Sequence, residues 1–274
     1  MQTRKLVISG LILALLPACA LANVQRRDQS FQAGEAPRVE ADVEVSRLTV
    51  RSAITDQVRI QATLRHARQT NYRAAQTGDT IEIDVHMQPG FSSKLDQPAV
   101  EIIVTVPQNT DLSLRSSTGY LYVDEVSGHM RLATSSAGIH LSDCDGLAEL
   151  QTQTGSIACR RVSGSFSIRS DAGSVELIAA NGIFDVETDS GAINLEGELA
   201  SAEQHRFESN RGSIDLLILG SPDLRVDAST QTGSVRCSLD MTAKVSTKRE
   251  CRGVLGDGTG QLLVRTTTGS ITIR

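Results

Sequence analysis

Aromatic residues are scarce in this sequence: tryptophan is absent, and aromatic residues make up only 3% of the 274 residues. Bulky aromatic side chains normally contribute much of the core of a large globular domain, so their scarcity argues against one thick core. Glycine is frequent instead, with 22 residues. This composition is typical of thin, regularly stacked β layers.

Long apolar runs are absent after the first 22 residues, and no later stretch could cross a membrane as a helix. Residues 6–16 form one short apolar run, and small residues follow at 20–22. Together they predict a secretory signal peptide over residues 1–22 and a mature chain that begins at Asn23. The alternative is a lipoprotein, because the segment that ends at Cys19 resembles a lipobox in which this cysteine would carry a lipid anchor.

Basic residues are not in excess: 27 Lys and Arg stand against 32 Asp and Glu, which gives a net charge of −5 at pH 7. Residues 1–22 hold two positive charges and no negative one, so the mature chain has a net charge of −7. Binding to nucleic acid needs clustered Lys and Arg, and this balance argues against such a partner. We expect an exported protein of the periplasm or cell surface.

An 18-residue repeat dominates the rest of the chain. Units such as TQTGSIAC and SDAGSVEL recur, and a second glycine column, which includes Gly146 and Gly164, lies nine residues beyond the first. We interpret both columns as corners at which the chain turns with a positive φ, which only glycine adopts at low cost. Ala137 fills one place in the first column, and its corner glycines are Gly119, Gly155, Gly173, Gly191, Gly212, Gly233 and Gly269.

Apolar residues recur two and four positions after each corner glycine and five before it. A spacing of two places side chains on one face of a strand, so each repeat reads as strand, corner, strand, corner. The predicted fold class is all-β: a single-chain parallel β-solenoid, or β-helix, with 18-residue rungs stacked in chain order. We expect about ten to twelve rungs and no helix longer than about two turns. Irregular N-terminal rungs are expected over 35–108 and regular repeats over 109–274.

The segment VTVPQNTDLSLRSSTGYLYV, followed by repeated G-x-[IV]-x-[LI] units and a closing TTTGSITI, resembles a known family. It is similar to the bacterial family of candidate adhesins that are built from β-strand repeats and have no known function. The resemblance covers about residues 40–274. It implies an extracytoplasmic β-solenoid domain, and it supplies no catalytic residues.

One inner column is polar and lies three residues before the first glycine. We expect its hydroxyls to satisfy backbone groups at the corner, and the alternative is that they face a ligand. The column consists of Ser116, Thr134, Thr152, Ser170, Thr188, Ser209, Thr230 and Thr266.

Metal and phosphate motifs are weak. Acidic residues near corners, such as Asp171 and Asp189, form no complete column, so the calcium cages of nonapeptide solenoids are not expected. The glycine-rich segment 253–260 precedes a strand rather than a helix, which argues against a phosphate loop. The five histidines lack metal-ligand spacing, and we predict no metal and no cofactor.

The outward column three residues after the corner glycine is the place where a polysaccharide lyase would carry its active site. It has no acid and base arranged for catalysis on adjacent rungs. Asp215 and Arg236 are expected to form a surface ion pair there. The column reads Tyr122, His140, Ala158, Glu176, Asn194, Asp215, Arg236 and Thr272.

Without Cys19 the mature chain has four cysteines, and export favours disulfides over free thiols. Cys159 and Cys237 share a column but stand about four rungs apart in chain order, roughly 19 Å, which is beyond disulfide reach. We therefore predict bonds between Cys144 and Cys159 and between Cys237 and Cys251. Four buried or half-buried free cysteines are the alternative.

Two classes of function remain. The first is a non-catalytic, adhesin-like binding or structural module of the cell envelope, whose partner would be an envelope protein or a glycan. The second is a polysaccharide-active β-helix enzyme, which would need a charged cluster on consecutive rungs. The missing acid and base favour the first.

Overall fold

The computed structural model of the protein describes residues 24–44, 46–90 and 99–274. Most of these residues lie in β-strands, and the one helix among them is a 3₁₀ turn at Ala67–Gln69. No helix in these ranges is long and apolar enough to cross a membrane. The predictions for residues 1–22, including the cleavage site and Cys19, lie outside the described residues.

The strands in chain order are β1 (Gln25–Gln32), β2 (Arg38–Val43), β3 (Ser46–Ser52), β4 (Gln57–Leu64), β5 (Thr70–Thr77), β6 (Thr80–Met87), β7 (Val100–Val106), β8 (Asp111–Asp124), β9 (Ser127–Ser142), β10 (Asp145–Thr152), β11 (Ile157–Arg160), β12 (Ser163–Ser170), β13 (Val175–Thr188), β14 (Ile193–Leu199), β15 (Gln204–Arg211), β16 (Ile214–Leu219), β17 (Leu224–Thr232), β18 (Val235–Cys237), β19 (Thr242–Ser246), β20 (Glu250–Leu255), β21 (Gly260–Thr268) and β22 (Ile271–Ile273).

These strands build two faces of a stack, and each rung contributes one strand to each face. The first face contains β2, β6, β10, β12, β15, β17 and β21, and the second contains β3, β7, β11, β14, β16, β18 and β22; the long strands β8, β9 and β13 turn a corner and belong to both. Ten rungs result, paired in parallel across the described residues. The predicted all-β class and the stack of parallel strands are confirmed.

The core follows from the alternation within each strand. In β10, for example, Leu150 is buried and pairs with Leu132 on one side and Ile168 on the other, and the residues between these apolar positions face solvent. The buried apolar residues of both faces form one continuous cluster. Two stacked phenylalanines, Phe166 and Phe184, lie in it with ring centroids 5.6 Å apart. A thin core of this kind needs many contacts between neighbouring rungs, because no single rung can bury its own inner face.

Part of the first glycine column has a different physical role from the one expected. The second column does have the positive φ, with values between +123° at Gly146 and +139° at Gly182. In the first column, Gly173 and Gly191 are not among the residues with positive φ, so the sequence-based reason is wrong for them. A Cβ on Gly173 would instead overlap the backbone carbonyl of Gly155 on the preceding rung. Glycine is required there because successive corners approach each other too closely for a side chain.

The hydroxyl column satisfies these same corners, which confirms its expected structural role. All eight side chains are buried. The hydroxyl of Ser209 donates to the carbonyl of Gly191 at 3.1 Å, and the N–H of Gly173 donates to Ser170 Oγ at 2.8 Å. Because a buried backbone group without a partner is costly, this ladder stabilises every turn that it reaches.

The rungs at the C-terminal end are not stacked in chain order, which corrects the sequence-based expectation. Strand β21 lies between β15 and β17, and β22 lies between β16 and β18. Leu216 therefore pairs with Ile273, and Ile273 pairs with Cys237 on its other side. The last rung of the chain is an inner rung of the stack, with backbone partners on both sides.

The N-terminal end repeats this arrangement. Strands β2 and β3 lie between the rung of β6 and β7 and the rung of β8. Beyond these rungs, antiparallel strands cover both ends: β5, β4 and β1 at one end, and β20 and β19 at the other. Covered edges protect a sheet from pairing with further chains. The division into an irregular part, 35–108, and a regular part, 109–274, remains a prediction.

The close approach of the corners predicts that Gly173→Val lowers the free energy of unfolding by about 2 kcal/mol or more, because the new side chain overpacks a buried corner. Denaturant melts of the variant and the wild type measure this difference. Ser174→Val is the matched control, because Ser174 is the next residue and is exposed. Equal losses in the two variants would contradict the role of the corner.

The order of the rungs predicts which engineered cysteines can reach Cys237. In a Cys251→Ala background, Ile273→Cys should form a disulfide with Cys237 on oxidation, because neighbouring rungs lie about 4.8 Å apart. Leu216→Cys should not, since two rung steps of roughly 9.6 Å exceed disulfide reach. Non-reducing peptide mapping distinguishes the two. A crosslink of Leu216→Cys to Cys237, with no crosslink of Ile273→Cys, would contradict the inserted rung and indicate that the rungs stack in chain order.

Candidate functional site

The ion pair expected between Asp215 and Arg236 is wrong. Strand β22 separates the two residues, and Thr272 lies between them in the register. Asp215 pairs instead with Arg274, with nitrogen and oxygen 3.3 Å apart. The expected pair assumed that the rungs stack in chain order, and the inserted rung separates the two residues.

The four described cysteines are free thiols in the structure. Burial raises the pKa of Cys144 to about 11 and that of Cys251 to about 12, and it also raises the pKa of Cys159. The predicted bonds Cys144–Cys159 and Cys237–Cys251 are therefore not formed here, and both pairings remain predictions for the oxidised protein.

The outer surface of the first face carries a charged groove of about 780 Å³. Its charged lining includes Arg169, Glu187, Glu208 and Arg265, which come from four neighbouring strands. Arg206 reaches Glu208 at 3.0 Å and Glu187 at 3.5 Å, and Arg169 reaches Glu187 at 3.8 Å. These pairs are partly exposed, and pairs of this kind stabilise a fold only slightly. The groove thus combines ion-paired side chains with a lining in which acidic residues outnumber basic ones.

The outer surface of the second face carries an aromatic cluster on strands β8 and β9. Tyr122 and His140 are partners in the register and stack with ring centroids 4.8 Å apart and an angle of 11° between the ring planes. Tyr120 lies beside them, with its ring centroid 6.0 Å from that of Tyr122 and 6.1 Å from that of His140. We call these three residues the aromatic patch. Tyr120 is 47% exposed, so the patch offers ring surface to solvent.

A glycine makes room for this arrangement. Gly138 is the register partner of Tyr120, and a Cβ there would lie 3.1 Å from Tyr120 Cδ1 and 3.3 Å from His140 Nε2. Any larger residue would push the rings apart. Partial burial lowers the pKa of His140, and the positive charge of Arg160 lowers it further. The imidazole is therefore neutral near pH 7 and keeps one nitrogen that can accept a hydrogen bond.

A cavity of about 490 Å³ adjoins the patch. Tyr122 and His140 line it together with Arg47, Thr49, Asp124 and Ser142, so the rings are bordered by donors and acceptors of hydrogen bonds. The sequence indicates this site by its aromatic residues and not by a pair of acid and base. Two of only three tyrosines stand one and three residues after a corner glycine, and a histidine occupies the same column one repeat later.

The family of this chain follows from its match to a protein-family model. Residues 38–274 match the model of the Toastrack DUF4097 family. The chain belongs to the Toastrack DUF4097 family. The resemblance to a family of β-strand repeats is thereby confirmed, and no curated protein sequence matches the chain.

Two solved structures are similar to this Toastrack chain. One is a candidate cell adhesion protein from Clostridium sporogenes ATCC 15579, with 10% identity and a TM-score of 0.35, and the match covers 92% of this chain and 99% of that one. The other is a candidate adhesin from Bacteroides fragilis NCTC 9343, with 12% identity, a TM-score of 0.44, and coverage of 91% and 97%. Neither similarity is close enough to transfer a function.

The cysteine pairs can be tested by peptide mapping of the oxidised protein without reduction. We expect Cys237–Cys251 and Cys144–Cys159 peptides, and the first pair should form more readily because Cys237 is only partly buried. The raised pKa values of the buried thiols Cys144 and Cys159 keep their thiolate fraction low, and this slows the oxidation of that pair. Four alkylatable thiols would contradict both bonds. A Cys159–Cys237 link would contradict the rung order.

Proposed function

We propose that this Toastrack protein is a non-catalytic, adhesin-like binding module, exported to the periplasm or the cell surface. The observation that carries the proposal is the aromatic patch. Exposed aromatic rings with a polar border are typical of binding surfaces, since they combine a large apolar area with few rotatable bonds. The paired rungs beneath the patch hold it rigidly, so little conformational entropy is lost on binding.

Two of the described carboxylates, those of Asp143 and Glu149, are unsuited to act as a general acid. Arg161 donates hydrogen bonds to Asp143 and lowers its pKa, and Arg131 does the same to Glu149. A general acid needs a raised pKa, so that it holds a proton near neutral pH. These arginine pairs keep the carboxylates ionised instead.

A polysaccharide-active enzyme is the second candidate, and the charged groove favours it. Glu187 and Glu208 lie on neighbouring strands, as a catalytic pair on consecutive rungs would. Arg206 contacts both carboxylates. We therefore propose that Glu187 and Glu208 act as ion-pair partners of Arg206 rather than as a catalytic pair, and that the patch is the binding site.

The proposal predicts export and retention by the envelope. After fractionation of the producing cells, we expect the protein in the periplasmic or surface fraction, with an intact mass that begins at Asn23 or at a lipid-modified Cys19. Purified protein should sediment with envelope fragments in a saturable manner. Protein found only in the cytoplasm, or protein that does not sediment, would contradict the proposal. Release of sugars from the envelope, lost in Glu187→Gln, would favour the enzyme.

A further inference from the structure

We propose that the aromatic patch of Tyr120, Tyr122 and His140 is a binding site for an oligosaccharide of gluco-configured pyranose rings. This inference rests on the proposed binding function and names its ligand. In such a sugar all ring hydroxyls are equatorial, so both faces of the ring present only C–H groups. The C–H face packs on an aromatic face, and the hydroxyls at the rim of the sugar need hydrogen-bond partners.

The fold itself does not require aromatic residues at these positions. On the next rungs, the positions equivalent to Tyr122 and His140 hold Ala158 and Glu176 in the same register. Those rungs pair normally, so strand formation tolerates small or charged side chains there. Tyr120 leaves about half of its surface in water, at 47% exposure, although the chain contains only three tyrosines and no tryptophan. Ring surface placed in this way is better explained by a ligand than by packing.

The border of the patch matches the rim of a sugar. Asp124 and Ser142 offer oxygen acceptors at one side of the cavity, and Thr49 and Arg47 offer donors at the other. His140 lies beside Tyr122 on the neighbouring strand and contributes a ring nitrogen. A flat apolar centre with polar groups around it is the arrangement by which small ligand sites obtain both affinity and orientation.

A protein partner fits the surroundings less well. A stable protein interface buries about 800 Å² on each partner around an apolar centre. In the described part of the chain, no exposed large apolar side chain other than Tyr120 lies on β8, β9 or their neighbours β3 and β11. Arg47 and Arg160, both exposed, stand at opposite sides of the patch. The exposed apolar surface at this place is therefore limited to the patch itself.

The test is isothermal titration calorimetry of the full exported chain with cellotetraose, the β-1,4-linked glucose tetrasaccharide. We expect the wild type to bind it, and Tyr122→Ala to raise the dissociation constant about tenfold or more, as removal of a central aromatic contact does. Tyr122→Phe keeps the ring and should stay within about threefold. Leu147→Ala, an exposed apolar residue on the first face, should bind like the wild type.

Two controls accompany the titrations. Thermal melts show whether each variant is folded. Mannotetraose, whose axial hydroxyl interrupts one C–H face, should bind more weakly than cellotetraose. The inference is overturned if the wild type does not bind cellotetraose, if Tyr122→Ala binds as well as the wild type, or if mannotetraose binds equally. Wild-type protein that sediments with envelopes but ignores cellotetraose would leave the proposed function standing and refute this ligand.

Discussion

The close approach of successive corners is the constraint on which this structure depends. Parallel rungs bring each corner so near the next that the carbonyl of Gly155 occupies the place a Cβ of Gly173 would take. The same carbonyls accept hydrogen bonds from the buried hydroxyl column, as Thr266 shows with Gly212 at 2.9 Å. One spacing thus explains two columns of the repeat: glycine where the backbone of the next rung passes, and Ser or Thr where its carbonyl needs a donor.

The repeat also explains which parts of the fold could be predicted from the sequence. Columns of glycine and aliphatic residues are local signals, and they were sufficient for the all-β class and the parallel stack. Each rung offers nearly the same inner residues, however, so the pattern cannot say which two copies are neighbours. Ile271 and Ile273 fit beside Ile214 and Leu216 as well as at the end of the stack. The inserted position gives β22 backbone partners in both β16 and β18, and this placement appears only in three dimensions.

At the second corner, the glycine column predicted a positive φ at positions such as Gly146, but the same conformation at a non-glycine column of this corner could not be predicted. Glu125, Asp143, Arg161 and Ala179 recur every 18 residues with a φ between +51° and +57°. Side chains of such different kinds form no recognisable column. Asp143 and Arg161 pair across neighbouring rungs at 2.7 Å, although pairs of exposed charges contribute little. The left-handed conformation at these residues is imposed by the strands on either side, which are buried and cannot shift.

The separation of inner and outer columns explains how such a lattice could acquire a binding site. Stability resides in the inner columns and the corners, so outward positions vary with little effect on the fold. The first face uses this freedom for alternating charges, in which Arg206 contacts both Glu187 and Glu208. The second face uses it for Tyr120 and Tyr122, whose stacking on His140 depends on the register of β8 and β9 and on the space left by Gly138. These two rungs follow each other in chain order, so the pairing of Tyr122 with His140 could be predicted from the 18-residue repeat, whereas the exposure of the rings appears only in three dimensions.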